Sequence, residues 1–391
     1  MKIANLGTYP PKQCGIATFS MDLRNSLLVN NVEVDIIAIS DESYQYDYPA
    51  EVQFNINQSQ LEDYKAAADF INKRSDINGV IIQHEYGIFG GLSGNYVLEF
   101  VKQLRKPYLV VTHTVLPKPT EEQKSILNQL CLQASGIVCM TKQSSTLLSN
   151  LYGVNKTKIQ IIGHGVPYFA PQSSQELKAR YNLADKQVIS TFGLIGPGKG
   201  LELGIRAMAE VAPAHPEAIF LILGQTHPML KKAEGEKYRE MLEDLIEELN
   251  LTQQVKFVNK FLTDEELGEY LYLTDIYLSP YPNLDQAVSG TLTFALGCGR
   301  AIVSTAYAYA AEVLKDNRGL LAKEPRPELL AELINSILQD DKLKNRLQKN
   351  AYELGKNWSW PNIGQKYAYF LASITPTINT EEDNKLQYAR L

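Results

Sequence analysis

Three loops and a row of histidines are the parts of this chain whose residue types and spacing could do chemistry. The first loop, Gly193-Leu194-Ile195-Gly196-Pro197-Gly198-Lys199-Gly200, is one residue away from the phosphate-binding pattern GxxxxGK[ST]. Gly200 stands where a magnesium-holding hydroxyl belongs, so ATP hydrolysis is not expected. Its glycines still let the backbone approach an anion, and Lys199 adds a positive charge. The second loop runs from Pro280 to Thr293 and holds Ser289-Gly290-Thr291. Ser289 reads as a helix N-cap, and the amides of Gly290 and Thr291 would point out of the helix end toward a second phosphate or a sugar. The third, Thr8 to Thr18, brings Cys14 and Gly15 to the start of a helix, a place for an anion or a sugar hydroxyl. Cys14 has no neighbouring His or second Cys and reads as a structural group.

Of the five histidines, three follow apolar runs: His84, His113 and His164. Three at successive strand ends point to a cleft, with His113 the leading candidate to line it. No pair sits at i, i+4 or among acids at ligand spacing, so no metal site is expected. Tyrosine is abundant, 22 against 2 Trp, and partly in loops (Tyr44, Tyr46 and Tyr48; Tyr307 and Tyr309), where its apolar face and polar tip suit sugar rings.

The elements that must position these groups read as two α/β halves. Short Val- and Ile-rich runs at 2–6, 32–39, 79–83, 108–112, 136–140 and 159–162 predict buried strands. Stretches 17–30, 60–73, 96–105 and 120–131 between them have helical spacing. The alternation restarts after a Pro- and Ser-containing stretch at 167–174, read as a hinge. Strands are expected at 188–192, 218–223, 254–259, 276–279 and 301–304, with helices at 201–212, 235–249, 264–273 and 291–297. Alternating strands and helices imply two doubly wound parallel sheets, and open sheets bind ligands at the carboxyl ends of their strands. The polar segment from 375 onward reads as a frayed end.

Composition narrows the partners. The 391 residues carry 38 Lys+Arg and 44 Asp+Glu, a formal charge of −6, which excludes a general nucleic-acid binder. No apolar run reaches the length of a membrane span, and the first residues show no leader-like stretch, so a cytoplasmic protein is expected. The four scattered cysteines form no disulfide or CxxC pattern. A small basic cluster at Lys156 and Lys158 is too little to support peripheral membrane contact.

Taken in order, these segments resemble the GT4-type family of retaining glycosyltransferases, over nearly the whole chain. The resemblance rests on Tyr9-Pro10-Pro11 with Cys14-Gly15-Ile16-Ala17, on Val110-Val111-Thr112-His113, and on Gly163-His164-Gly165-Val166-Pro167. It continues through Pro197-Gly198-Lys199-Gly200, Gly297-Cys298-Gly299-Arg300, Glu312-Val313, Gly319-Leu320-Leu321 and Trp358-Ser359-Trp360. It implies the GT-B fold, two Rossmann-like domains facing across a cleft. Residues 1–168 would form the acceptor side and 169–358 the donor side, with a C-terminal helix and tail, 359–391, packing back on the first domain. Three positions depart from the family: Leu194 replaces an Arg, and Gln286 and Phe294 replace two glutamates eight positions apart. These departures fall together on the nucleotide half of the donor.

The resemblance implies a metal-independent, retaining transfer of a hexose, mannose or glucose, from a nucleotide sugar to a carbohydrate or small-molecule acceptor, with no cofactor. His113, Lys199 and Gln286 would serve the reacting sugar. Gly15, Gly198, Lys199, Ser289, Gly290 and Thr291 would hold the donor, with Cys14, His84 and Glu85 on the acceptor side. Two other readings stay open: a phosphorylase using a hexose 1-phosphate, which needs no ribose contact, and a sugar-binding protein without catalysis.

Overall fold

The computed structural model describes residues 1–41 and 46–375; Tyr44 and the tail from residue 376 lie outside the described residues. Two sheets organise the chain. The first contains β1 (Lys2–Gly7), β2 (Glu33–Ser40), β3 (Val52–Asn57), β4 (Gly79–His84), β5 (Tyr108–Thr112), β6 (Gly136–Cys139) and β7 (Ile159–Ile161), in the order β3-β2-β1-β4-β5-β6-β7. The second contains β8 (Gln187–Phe192), β9 (Ala218–Leu223), β10 (Val255–Val258), β11 (Ile276–Ser279), β12 (Ala301–Thr305) and β13 (Leu320–Ala322), in the order β10-β9-β8-β11-β12-β13. Every pairing is parallel. Helices cover both faces, which is why β4, β5 and β9 are buried at every residue and read as continuous apolar runs.

Strand order reverses between β1 and β4 in the first sheet and between β8 and β11 in the second. Crevices at such reversals are where open α/β sheets bind ligands. The loops singled out above leave these strands: Thr8–Cys14 follows β1, Glu85 follows β4, Gly193–Gly200 follows β8 and Pro280–Ser289 follows β11.

Several elements differ from the reading of apolar runs. The edge strand β3 is half solvated and alternates Val52-Gln53-Phe54-Asn55-Ile56-Asn57, so it presents no apolar run. A separate helix, Pro228–Glu234, precedes the charged helix Lys237–Glu248, and Gly235 ends it at φ +71°. The segment after Val166 crosses between the two units and enters the helix Ser174–Arg180.

The final helix, Trp360–Ile374, returns to the first unit and packs along the helix Gly15–Val29. The Val166 amide donates to the Trp358 carbonyl at 2.7 Å, which fixes the return point beside the crossover. Close approach is built in: a Cβ on Gly364 would stand 2.6 Å from Ser26 Oγ, and one on Gly165 would stand 2.2 Å from the Trp360 ring. Phe19, Trp360, Ile363 and Tyr367 then share one core with β2 and β5.

Candidate functional site

The two carboxyl-end edges face each other across a cleft of about 720 Å³. The second unit supplies a corner between two loops. After β8, Gly193 (φ +130°) and Gly200 (φ +61°) take backbone conformations open to glycine, and the chain makes one 3₁₀ turn at Pro197–Lys199 before the helix Leu201–Val211. A Cβ on Gly200 would lie 2.2 Å from the Pro280 carbonyl, so this glycine also lets the two loops touch. After β11, Ser289 caps the helix Gly290–Gly297, its hydroxyl accepting from the Leu292 amide at 3.3 Å. The Gly290 and Thr291 amides have no partner among the described residues, as the first amides of a helix do not.

Tyr281 ties the two loops together. Lys199 Nζ donates to its hydroxyl at 2.8 Å and lies 4.7 Å from its ring centroid. The same hydroxyl is 3.0 Å from Thr291 Oγ1, which is 3.2 Å from Ser289 Oγ. Burial pushes the Tyr281 phenol up, but the Lys199 charge and the hydrogen bonds from Lys199, Ser289 and Thr291 bring it below its usual value. The ammonium is thereby held at the start of the Gly290 helix, where its charge and the free amides act on one spot. Leu194, Phe192 and Phe294 line the cleft beside it, and Phe261, 53% exposed, stands at its rim.

The first unit supplies a wall of imidazole and carboxyl groups. His113 follows β5; its Nε2–H donates to Gln83 Oε1 at 2.9 Å, and Gln83 Nε2 donates to Asn5 Oδ1 at 2.8 Å. Burial, with smaller contributions from His164 and His84, pushes His113 down to about 3, so the ring is uncharged at neutral pH. Glu85 receives hydrogen bonds from the Tyr86 amide (3.0 Å) and from the Thr114 hydroxyl, yet burial keeps its carboxyl above the usual range. Asp22 also lines the cleft. Burial and the facing charge of Asp264, on the other unit, raise it to about 7. The Trp360 indole N–H lowers Asp22 slightly without a hydrogen bond of good geometry.

Of the residues chosen from sequence, His113, Lys199, Gln286, Gly15, Ser289, Gly290, Thr291, Cys14 and Glu85 line this one cleft. Gly198 does not line it, although a Cβ there would meet nothing within 4 Å. His84 lies outside it. Successive residues of a strand face opposite sides, so Gln83 turns to His113 while His84 turns into the core against Tyr86 (ring centroids 4.9 Å apart) and Phe89. Burial lowers His84 to about 4, and its Nδ1 has no partner among the described residues. Cys14 caps the helix Gly15–Val29, its Sγ accepting from the Ala17 amide at 3.4 Å, so the structural reading of this thiol describes what it does. Gln286 donates to the Val288 carbonyl at 2.9 Å, a bond within its own loop.

Tyr281, Gln83 and Asp22 carry much of the site and were not singled out. Tyr281 was visible as an aromatic within Pro280-Tyr281-Pro282 directly after a strand. Gln83 was visible as the neighbour of a strand-end His, offset by one residue of alternation.

Residues 173–354 match the family model described as glycosyl transferases group 1. The match falls on the second unit. A D-inositol 3-phosphate glycosyltransferase of Nocardioides sp. is 25% identical over 252 residues, covering 61% of this chain and 53% of that protein. The chain thus spans about half the length of the curated relatives it matches. Anabaena HepE, solved in complex with UDP, superposes with a TM-score of 0.76 at 16% identity, covering 95% of this chain and 100% of that one. Sucrose-phosphate synthase of Thermosynechococcus elongatus gives 0.78 at 18% identity, covering 96% and 99%. The fold is GT-B, two Rossmann-like parallel-sheet domains.

Proposed function

We propose that this chain is a glycosyltransferase that moves a hexose, glucose or mannose, from a nucleotide sugar to a hydroxyl of a carbohydrate or small-molecule acceptor, with retention and without a metal ion. The observation that carries this reading is the corner where Lys199, tied through Tyr281 to Thr291, meets the unpartnered amides of Gly290 and Thr291. When the bond from the sugar's anomeric carbon to phosphate oxygen breaks, negative charge builds on the departing diphosphate. Fixed donors aimed at that point stabilise it more than they stabilise the intact donor. Lys199 and the helix end supply charge that a divalent cation would otherwise provide, which is why metal independence fits. The acceptor enters on the side of residues 1–168, where Glu85 offers a carboxylate to its hydroxyl, and the donor is held by residues 169–358. Retention follows the GT4 resemblance.

Phe294 supports a second reading, phosphorolysis or synthesis with hexose 1-phosphate. Its ring packs toward Phe192 and Phe169 (centroids 6.0 and 6.2 Å away) and accepts no hydrogen bond from a ribose. Incubation with UDP-glucose, GDP-mannose or glucose 1-phosphate, each with EDTA and an acceptor panel, separates the two. Release of UDP or GDP with an α-linked product supports the first reading. Phosphate release from glucose 1-phosphate alone supports the second, and turnover that requires added metal contradicts metal independence.

A further inference from the structure

His164 sits at the junction of the two units and belongs to neither phosphate loop. It follows β7 in the segment that leads to the crossover, and its ring is buried between Phe19 (centroids 5.2 Å apart) and Phe294 (6.1 Å). Its Nδ1 lies 2.8 Å from the Gly165 carbonyl oxygen. A carbonyl oxygen only accepts, so Nδ1 carries the hydrogen and Nε2 carries a lone pair. Burial holds the ring uncharged, moving it down to about 4. Nε2 has no partner among the described residues, and the ring lines the cleft. A Cβ on Gly290 would stand only 3.2 Å from Nε2, so this lone pair lies directly over the first residue of the Gly290 helix.

The corner therefore offers two opposite kinds of partner side by side. The Gly290 and Thr291 amides and Lys199 are donors that take phosphate oxygens, while His164 Nε2 is an acceptor that repels them. A ligand that satisfies both presents an anion with a hydroxyl hydrogen next to it. In a sugar bearing phosphate on its anomeric carbon, the hydroxyl nearest that phosphate is the one on C2. We propose that His164 Nε2 accepts a hydrogen bond from the 2-hydroxyl of the transferred hexose and so selects donors that carry one. This rests on the glycosyltransferase reading above and adds to it a residue that reads the sugar apart from the nucleotide.

The test compares dissociation constants of UDP, GDP, UDP-glucose, GDP-mannose and the 2-deoxy-2-fluoro analogues of the two sugars, for wild type, His164→Ala and His164→Asn. Fluorine fills the place of the hydroxyl but cannot donate. In wild type the fluoro analogue should bind about tenfold more weakly than its parent, the worth of one hydrogen bond in a site closed to water. His164→Ala should weaken the parent sugar nucleotide by a similar factor, leave UDP or GDP within about twofold, and bind parent and fluoro analogue alike. His164→Asn, whose amide oxygen also accepts, should restore the preference for the hydroxyl. Equal loss of nucleotide and sugar-nucleotide affinity in His164→Ala would show a structural role and overturn the inference, as would a fluoro penalty that persists without the imidazole. Wild-type protein that binds none of the six compounds would overturn the glycosyltransferase reading as well.

Discussion

Asp22 and Asp264 place two carboxyl groups on opposite walls of the cleft, and their pH response can be worked out. Asp22 moves from 3.8 in an unfolded chain to about 7 in the fold, first through burial and then through Asp264. A raised carboxyl favours the protonated folded state, so its contribution to stability is fully present below about pH 4 and is lost as pH rises through 7. At about 1.4 kcal/mol per unit, the cost of ionised Asp22 above pH 7 is about 4 kcal/mol. Asp22→Asn keeps the shape and removes the charge. It should therefore leave melting near pH 3.5 almost unchanged, raise it by a smaller amount near pH 5, and raise it by several degrees near pH 8.5, at roughly 2 °C per kcal/mol for a large domain. Thermal melts of both proteins across this range check it. Asp264→Asn should recover only the smaller share, because burial is the larger cause. Identical melting of wild type and Asp22→Asn at high pH would refute the reasoning, since an ionised, unpaired carboxylate would then cost nothing there.

Three further outcomes follow from contacts between distant segments. Glu312 accepts the amides of Lys142 (2.8 and 2.9 Å) and Gln143 (3.3 Å) at the start of a helix in the first domain. Glu312→Ala should cost about 1 kcal/mol, as loss of a helix cap does, and should enlarge the radius of gyration measured by small-angle scattering. Gly364→Ala would press a methyl against Ser26, so it should detach the helix Trp360–Ile374 and expose it to protease, with a loss of about 2 kcal/mol. Gly290→Ala would crowd His164 Nε2 from 3.2 Å and should raise KM for the sugar donor several-fold in a transfer assay, with melting little changed.

Legibility in the sequence followed burial. Strands covered on both faces, such as Gly79–His84 and Tyr108–Thr112, declare themselves as apolar runs because no residue in them meets water. Val52–Asn57 at the sheet edge alternates instead and disappears among polar neighbours. The loops after β8 and β11 were readable because glycine, a capping Ser289 and Lys199 have local reasons to stand where they do. Which side chain of a strand end faces the cleft depends on alternation, and one residue of register separates the useful Gln83 from the buried His84. Contacts such as Tyr281 with Lys199, or Asp22 with Asp264, join residues 82 and 242 positions apart, and no local pattern announces them. The family resemblance placed the fold and most of the cleft residues, while Leu194, Gln286 and Phe294 mark where this chain departs from the family's usual residues.

We propose above all that Lys199, held by Tyr281 near the start of the Gly290 helix, stabilises the nucleoside diphosphate as it leaves the sugar. The most direct measurement is single-turnover release of UDP or GDP from the preferred sugar nucleotide by wild type and Lys199→Ala, with EDTA present. The rate should fall about 100-fold or more in Lys199→Ala, as removal of one fixed transition-state donor produces, with donor affinity reduced far less. An unchanged rate, or a loss confined to binding, would contradict it.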